Sequence, residues 1–155
     1  MKSISPPKSA VLVVDDDEGL LLSIKATLVS AGLAEPVLVS DSRRVMEVMR
    51  SHRFPLVLLD LMMPHMSGME VMQQIKEEFP EADCVIVSAM DDVPTAVQAI
   101  SGGASDYLVK PLNSDKLIAL VQSNLERYRF RDELARVGRK KIFEHLKQPE
   151  AFGHL

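Results

Sequence analysis

The 155-residue chain contains one cysteine, no tryptophan, two tyrosines and five phenylalanines. Its lone thiol, Cys84, stands in the apolar run Cys84-Val85-Ile86-Val87, where it can form no internal disulfide and lacks the partners of a zinc site. It reads as a buried core residue. Long hydrophobic runs are also missing: the apolar stretches are far too short to span a bilayer. Residues 1–9 are polar, carry two prolines and show neither the apolar segment nor the cleavage site of a secretory signal. These absences lead to the expectation of a cytoplasmic protein without membrane insertion, with residues 1–9 as a loose N-terminal tail. A strong excess of basic charge is absent as well. The net charge is −4, with 9 basic and 16 acidic side chains in residues 1–112 against 9 basic and 6 acidic in residues 113–155. The basic excess of the second part is interspersed with acids and has few aromatics, which fits a solvated helix face rather than a surface for direct nucleic-acid binding.

The residues that are present, 46% hydrophobic and 26% charged, are those of a globular domain, and the length allows one domain with an arm to spare. Apolar runs at 11–14, 37–39, 56–59, 84–87 and 107–109 alternate with segments whose apolar residues recur every three or four positions, the rhythm of βαβ units. Helical stripes are read at Leu21, Ile24 and Leu28; at Val45, Val48 and Met49; at Val71, Met72 and Ile75; at Val93, Val97 and Ile100; and from Leu117, Leu120 and Val121 onward. Gly32 suits the end of the first helix, Asp41 and Ser42 the start of the second, Ser67 the third and Ser114 the fifth, while Pro94 suits a first helical turn. Right-handed crossovers with helices on both faces give an α/β fold with a doubly wound five-stranded parallel sheet, order 2-1-3-4-5.

Two of the strands end on acid. Val11-Leu12-Val13-Val14 runs into Asp15-Asp16-Asp17, and Leu56-Val57-Leu58-Leu59 into Asp60. Ligands of such sheets sit at the carboxyl ends of the strands, and strands 1 and 3 flank the switch point of this order. Asp15, Asp16 and Asp60 then share one small space, which requires a cation among them or a retained proton. Ser88 follows the fourth strand and Lys110 the fifth, so the same edge gathers a hydroxyl and an ammonium.

In that order the residues resemble the receiver domain of two-component response regulators, over roughly residues 10–127. The matching fragments are Val13-Val14-Asp15-Asp16-Asp17, Leu59-Asp60-Leu61-Met62-Met63-Pro64 with Ser67-Gly68, Val87-Ser88-Ala89, Gly103-Ala104 and Tyr107-Leu108-Val109-Lys110-Pro111. The resemblance implies a flavodoxin-like fold and a phospho-accepting switch rather than an enzyme acting on external substrates. It makes Asp60 the phospho-acceptor and assigns Mg²⁺ to Asp15, Asp16, Asp60 and the backbone carbonyl of Met62. Ser88 and Lys110 bind phosphoryl oxygens, and Tyr107 is the aromatic partner of Ser88 in switching the surface of the fourth helix, fifth strand and fifth helix. Asp17 stays outside the metal pair, and His65 reads as a surface loop residue. Implied partners are a sensor histidine kinase or phosphotransfer protein and a downstream effector or fused output domain. A metal-dependent hydrolase with an aspartyl-phosphate intermediate is the rival enzymatic reading. Such enzymes commonly carry a second acid two residues after the nucleophile, where this chain has Met62. A phosphate-independent binding module is the other alternative, against which the full set of five polar residues speaks.

From Ser114 the helical pattern continues without proline as far as Pro149, through Ile118, Val121, Leu125 and Tyr128, then Phe130, Leu134 and Val137, then Ile142 and Leu146. The step from Tyr128 to Phe130 breaks the register. Residues 128–155 are therefore expected to be a helical extension or linker. They either project from the domain or fold back on it, and the projecting form offers a homodimer surface beside that of the fourth helix, fifth strand and fifth helix.

Overall fold

The computed structural model describes residues 10–147, with side-chain surroundings through residue 141. The expected N-terminal tail and the end of the extension lie outside the described residues. In chain order the elements are β1 (Val11–Val14), α1 (Glu18–Ser30), β2 (Val37–Val39), α2 (Val45–Ser51, entered through a 3₁₀ turn at Ser42–Arg44), β3 (Leu56–Asp60), α3 (Gly68–Glu78), β4 (Asp83–Ser88), α4 (Val93–Ser101), β5 (Asp106–Val109) and α5 (Ser114–Lys147). All strand pairs are parallel and the order is β2-β1-β3-β4-β5, as the strand runs and crossover rule require.

Side-chain alternation along the strands splits the core in two. Leu12, Val14, Val57, Leu59, Cys84 and Ile86 face α2, α3 and Ala99 of α4. Val11, Val13, Leu56, Leu58, Val85 and Val87 face α1 and α5. Because both faces are covered, the strands are apolar throughout. Cys84 is fully buried, and burial pushes its thiol up to about 12, so it is inert packing.

Four of the five helical stripes pack as their spacing indicates. The fourth does not: Val93, Val97 and Ile100 are 72%, 56% and 48% exposed, and α4 seats itself through Ala99. The small side chain lets the helix lie close to the sheet, with the valine stripe roughly a third of a turn away. Capping also differs in detail. Ser67 forms a full capping box with Glu70, and Gly32, at φ +81°, follows α1 in the left-handed conformation that favours glycine. Pro94 falls in the first turn of α4, whose cap is Asp92. Asp41 caps the 3₁₀ turn alone, because the Ser42 hydroxyl is committed elsewhere, and α5 is capped by Asn113, whose Oδ1 accepts from the Lys116 N–H at 3.0 Å, instead of by Ser114. Helix α5 runs unbroken for 34 residues. Among the described residues its last ties to the domain are Tyr128 beneath Arg53 and an Arg131–Asp83 ion pair of 3.7 Å, and from Glu133 to Lys141 every residue is exposed. Over these residues the helix projects and does not fold back.

Candidate metal and phosphoryl site

Strand register assembles the site. Val14 pairs with Leu59, so Asp15 and Asp60 leave adjacent strands side by side; Asp60 pairs with Val87, one residue before Ser88; Ser88 pairs with Val109, one residue before Lys110. Four polar residues thus emerge along one edge, although the strands themselves are apolar. Asp15 and Asp60 are buried while Asp16 is exposed, and oxygens of the three carboxylates lie within 4.8 Å of one another. The Lys110 Nζ donates to Asp15 Oδ2 at 2.8 Å and to Asp60 Oδ1 at 3.3 Å. Burial first, then the Asp15 charge, pushes the Asp60 carboxyl up to about 6, against the pull of Lys110. Burial alone would lower Lys110, but the hydrogen bond and charge of Asp15, with Asp60 behind them, carry it above its ordinary value. One ammonium against three carboxylates leaves an excess of negative oxygen. Such an all-oxygen donor set fits a hard cation of the Mg²⁺ kind, which binds through one or two carboxylates and keeps several waters.

The surrounding contacts explain several residue choices. Asp17 is the N-cap of α1: its Oδ1 accepts from the Leu20 N–H at 3.1 Å, and its own N–H donates to Asp15 Oδ1 at 2.9 Å, orienting that carboxylate. Met62 and Met90 are 65% and 41% exposed on the loops after β3 and β4. Ser88 is fully buried, and its Oγ accepts from the Met90 N–H at 3.1 Å. The Met90 carbonyl in turn accepts from the Tyr107 hydroxyl at 2.7 Å. Tyr107 is half-buried against the core, so the Met90 backbone links the residue beside the acids to the aromatic ring of β5. His65 is exposed, in line with a surface loop residue, and holds a left-handed φ of +74°.

Two contributors were not legible in the sequence. Gly68 opens α3 directly against the backbone of Asp60: its N–H donates to the Leu61 carbonyl at 2.9 Å, and a Cβ there would collide with the Asp60 carbonyl oxygen. The Ser67-Gly68 pair gave a helix start but not this approach. Ser42 donates to the Pro64 carbonyl at 2.9 Å and accepts from the Met66 N–H at 3.3 Å, pinning the loop after Asp60 from 22 residues away in sequence. No local pattern distinguishes that serine from an ordinary cap.

A parallel sheet of order 2-1-3-4-5 with an acid triad, a buried hydroxyl and a lysine at its carboxyl edge defines a class of phosphoryl-accepting α/β domains. The chain belongs to the response regulator receiver domain family, whose model matches residues 11–122. It is 37% identical over 120 residues to the C4-dicarboxylate transport transcriptional regulatory protein DctD of Pseudomonas aeruginosa, covering 77% of this chain and 26% of that protein. It is 31% identical over 126 residues to the response regulator protein TodT of Pseudomonas putida, covering 81% and 55% respectively. The solution structure of the beryllofluoride-activated NtrC4 receiver domain dimer superposes with a TM-score of 0.71 at 31% identity, covering 76% of this chain and 97% of that one. The chain spans about a quarter to a half of the length of these curated relatives. Receiver domains are phospho-accepting signalling switches in two-component systems, not enzymes in the ordinary sense. Among the described residues no helix is long and apolar enough to cross a membrane.

Proposed function

We propose that residues 10–127 are a cytoplasmic receiver that takes a phosphoryl group on Asp60 from a phosphohistidine of a sensor histidine kinase or phosphotransfer protein, and that residues 128–155 carry the signal onward as a helical extension. The observation that carries this reading is the gathering of Asp15, Asp16 and Asp60 oxygens within 4.8 Å, with the Lys110 ammonium bridging two of them. Mg²⁺ would be held by Asp15, Asp16, Asp60 and the Met62 carbonyl, and when bound it supplies charge neutralisation for phosphoryl oxygens. An Asp60 carboxylate oxygen attacks phosphorus. The new O–P bond forms as the P–N bond to the donor imidazole breaks, and the electron pair leaves with the imidazole nitrogen. Because charge in this transition state spreads over the equatorial oxygens, the site needs positioning and positive charge rather than a base. Lys110 provides both, moving one of its hydrogen bonds from Asp60 to a phosphoryl oxygen.

A dianionic group on Asp60 gives the Ser88 hydroxyl a charged acceptor. Donating to it draws the Ser88 Oγ toward Asp60, and that displacement lengthens its bond from the Met90 N–H and, through the Met90 carbonyl, shifts the Tyr107 hydroxyl. The exposed Val93, Val97 and Ile100 of α4 lie just beyond that loop and offer an apolar surface for an effector, an output domain or a second copy. Helix α5 offers a second homodimer surface. Water then attacks phosphorus, releasing inorganic phosphate and restoring the Asp60 carboxylate. Apolar Met62 and Met90 leave that water unassisted, so Met62→Asn or Met90→Glu is expected to speed autodephosphorylation about fivefold, a barrier change of about 1 kcal/mol. Unchanged decay of phosphoprotein in both variants would remove this role from the methionines.

Mass spectrometry of the full chain incubated with acetyl phosphate and Mg²⁺ tests the proposal. One phosphoryl adduct is expected, dependent on Mg²⁺ and absent from Asp60→Asn. An adduct that persists in the variant, or none in the wild type, would refute it.

A further inference from the structure

At the other edge of the sheet, where residues 52–55 lead into β3 and residues 78–82 lead into β4, a cavity of about 270 Å³ opens. It lies about 15 Å from Asp60, the length of a five-residue strand. Its floor is apolar and buried, made by Met49, Phe54, Pro55 and Ala82. One side wall is aromatic: the Tyr128 ring of α5, with the Arg53 guanidinium 5.6 Å above its centroid. The His52 ring, which also lines the cavity, stacks on Phe54 at 5.3 Å, 22° from parallel. A second cavity of about 320 Å³ shares Arg53, Glu81 and Tyr128 with the first and runs on to Arg131 and Arg139 of the projecting helix.

The charges of this groove are unevenly matched. Glu78 is held by Arg50 at 2.6 Å, Arg131 by Asp83 at 3.7 Å and Asp132 by Arg136 at 3.7 Å. Among the described residues, Arg53 and Arg139 have no carboxylate in ion-pair range, and Glu81 is the one lining acid without a cation. An apolar floor, the rings of Tyr128 and His52 at its margin and two guanidinium groups without an ion pair, Arg53 resting on Tyr128 alone, complement a flat apolar body with a negative group at one end.

We propose that this groove binds a small aromatic anion, with its ring over the apolar floor beside Tyr128 and its anionic group on Arg53 and Arg139. Since Tyr128 and both outer arginines belong to the segment of α5 that leaves the domain or face it, occupancy ties that segment to the loops before β3 and β4. The site is separate from the acid edge and does not depend on phosphorylation.

The test uses the full chain, unphosphorylated, titrated with 1-anilinonaphthalene-8-sulfonate and, in parallel, with its uncharged counterpart N-phenyl-1-naphthylamine, followed by amide NMR spectra and dye fluorescence. Saturable binding of one sulfonate per chain is expected, with shifts confined to residues 52–55, 78–82 and 128–139. In the Arg53→Gln, Arg139→Gln double variant the sulfonate is expected to bind at least fivefold more weakly and the uncharged dye less than twofold. Absence of saturable binding, shifts elsewhere, or equal losses for both dyes would overturn the proposal. Shifts of the same amides on raising protein concentration without dye would give the groove to a second copy and overturn it too.

Discussion

Asp60 shows how one residue carries opposing demands. Burial and the neighbouring Asp15 push its carboxyl up to about 6, yet the proposed nucleophilic attack needs it ionised. Its folded value lies above that of an unfolded aspartate, so the folded protein holds more protons between pH 4 and 6. The contribution of this group to stability is therefore full at the acid end of that window and is lost as pH rises through about 6. Without divalent cation, Asp60→Asn is expected to stabilise the domain by about 1 kcal/mol at pH 8 and by a vanishing amount near pH 4, read from urea unfolding at both pH values. A benefit that grows toward pH 4 would contradict the assignment. The same proton competes with the cation, so Mg²⁺ affinity is expected to rise about tenfold between pH 5 and 7 in calorimetric titrations. An affinity independent of pH would place the cation away from Asp60. The identities of these polar residues were legible because each follows an apolar run. Ser42 and the Met90 backbone link were not, since their partners come together only through the fold.

At the scale of elements, the strands and their order followed from run length and the crossover rule, because a strand buried on both faces leaves an unbroken apolar signature. Helix α4 shows the limit of such a reading. Val93, Val97 and Ile100 have the spacing of a core stripe and lie outside, because periodicity marks a common face without saying which neighbour covers it. Packing through Ala99 was available in the sequence but is weaker as a signal. The start of α3 was legible through Ser67, while its close approach to Asp60 depends on the missing Cβ of Gly68. Gly68→Ala is expected to destabilise the domain by about 2 kcal/mol through the clash with the Asp60 backbone, seen as a lower urea midpoint at unchanged slope. Full stability in this variant would show that the helix start can shift freely.

Across the whole molecule, the two proposed sites lie at opposite edges of the sheet. The carboxyl edge collects charge around Asp60, and the amino edge holds the aromatic groove where α5 departs. The hydrogen bonds beside the acid edge join Ser88 to Tyr107 through the Met90 backbone, while α5 is exposed over residues 133–141. A phosphoryl group at Asp60 is proposed to act on those bonds. Amide NMR spectra of the full chain, recorded before and after adding beryllofluoride with Mg²⁺ to the wild type and to Asp60→Asn, test it most directly. Shifts are expected at residues 60–62, 88–92 and 107–110 in the wild type and none in the variant. Unmoved signals at 88–92 and 107–110, or equal shifts in Asp60→Asn, would contradict the account.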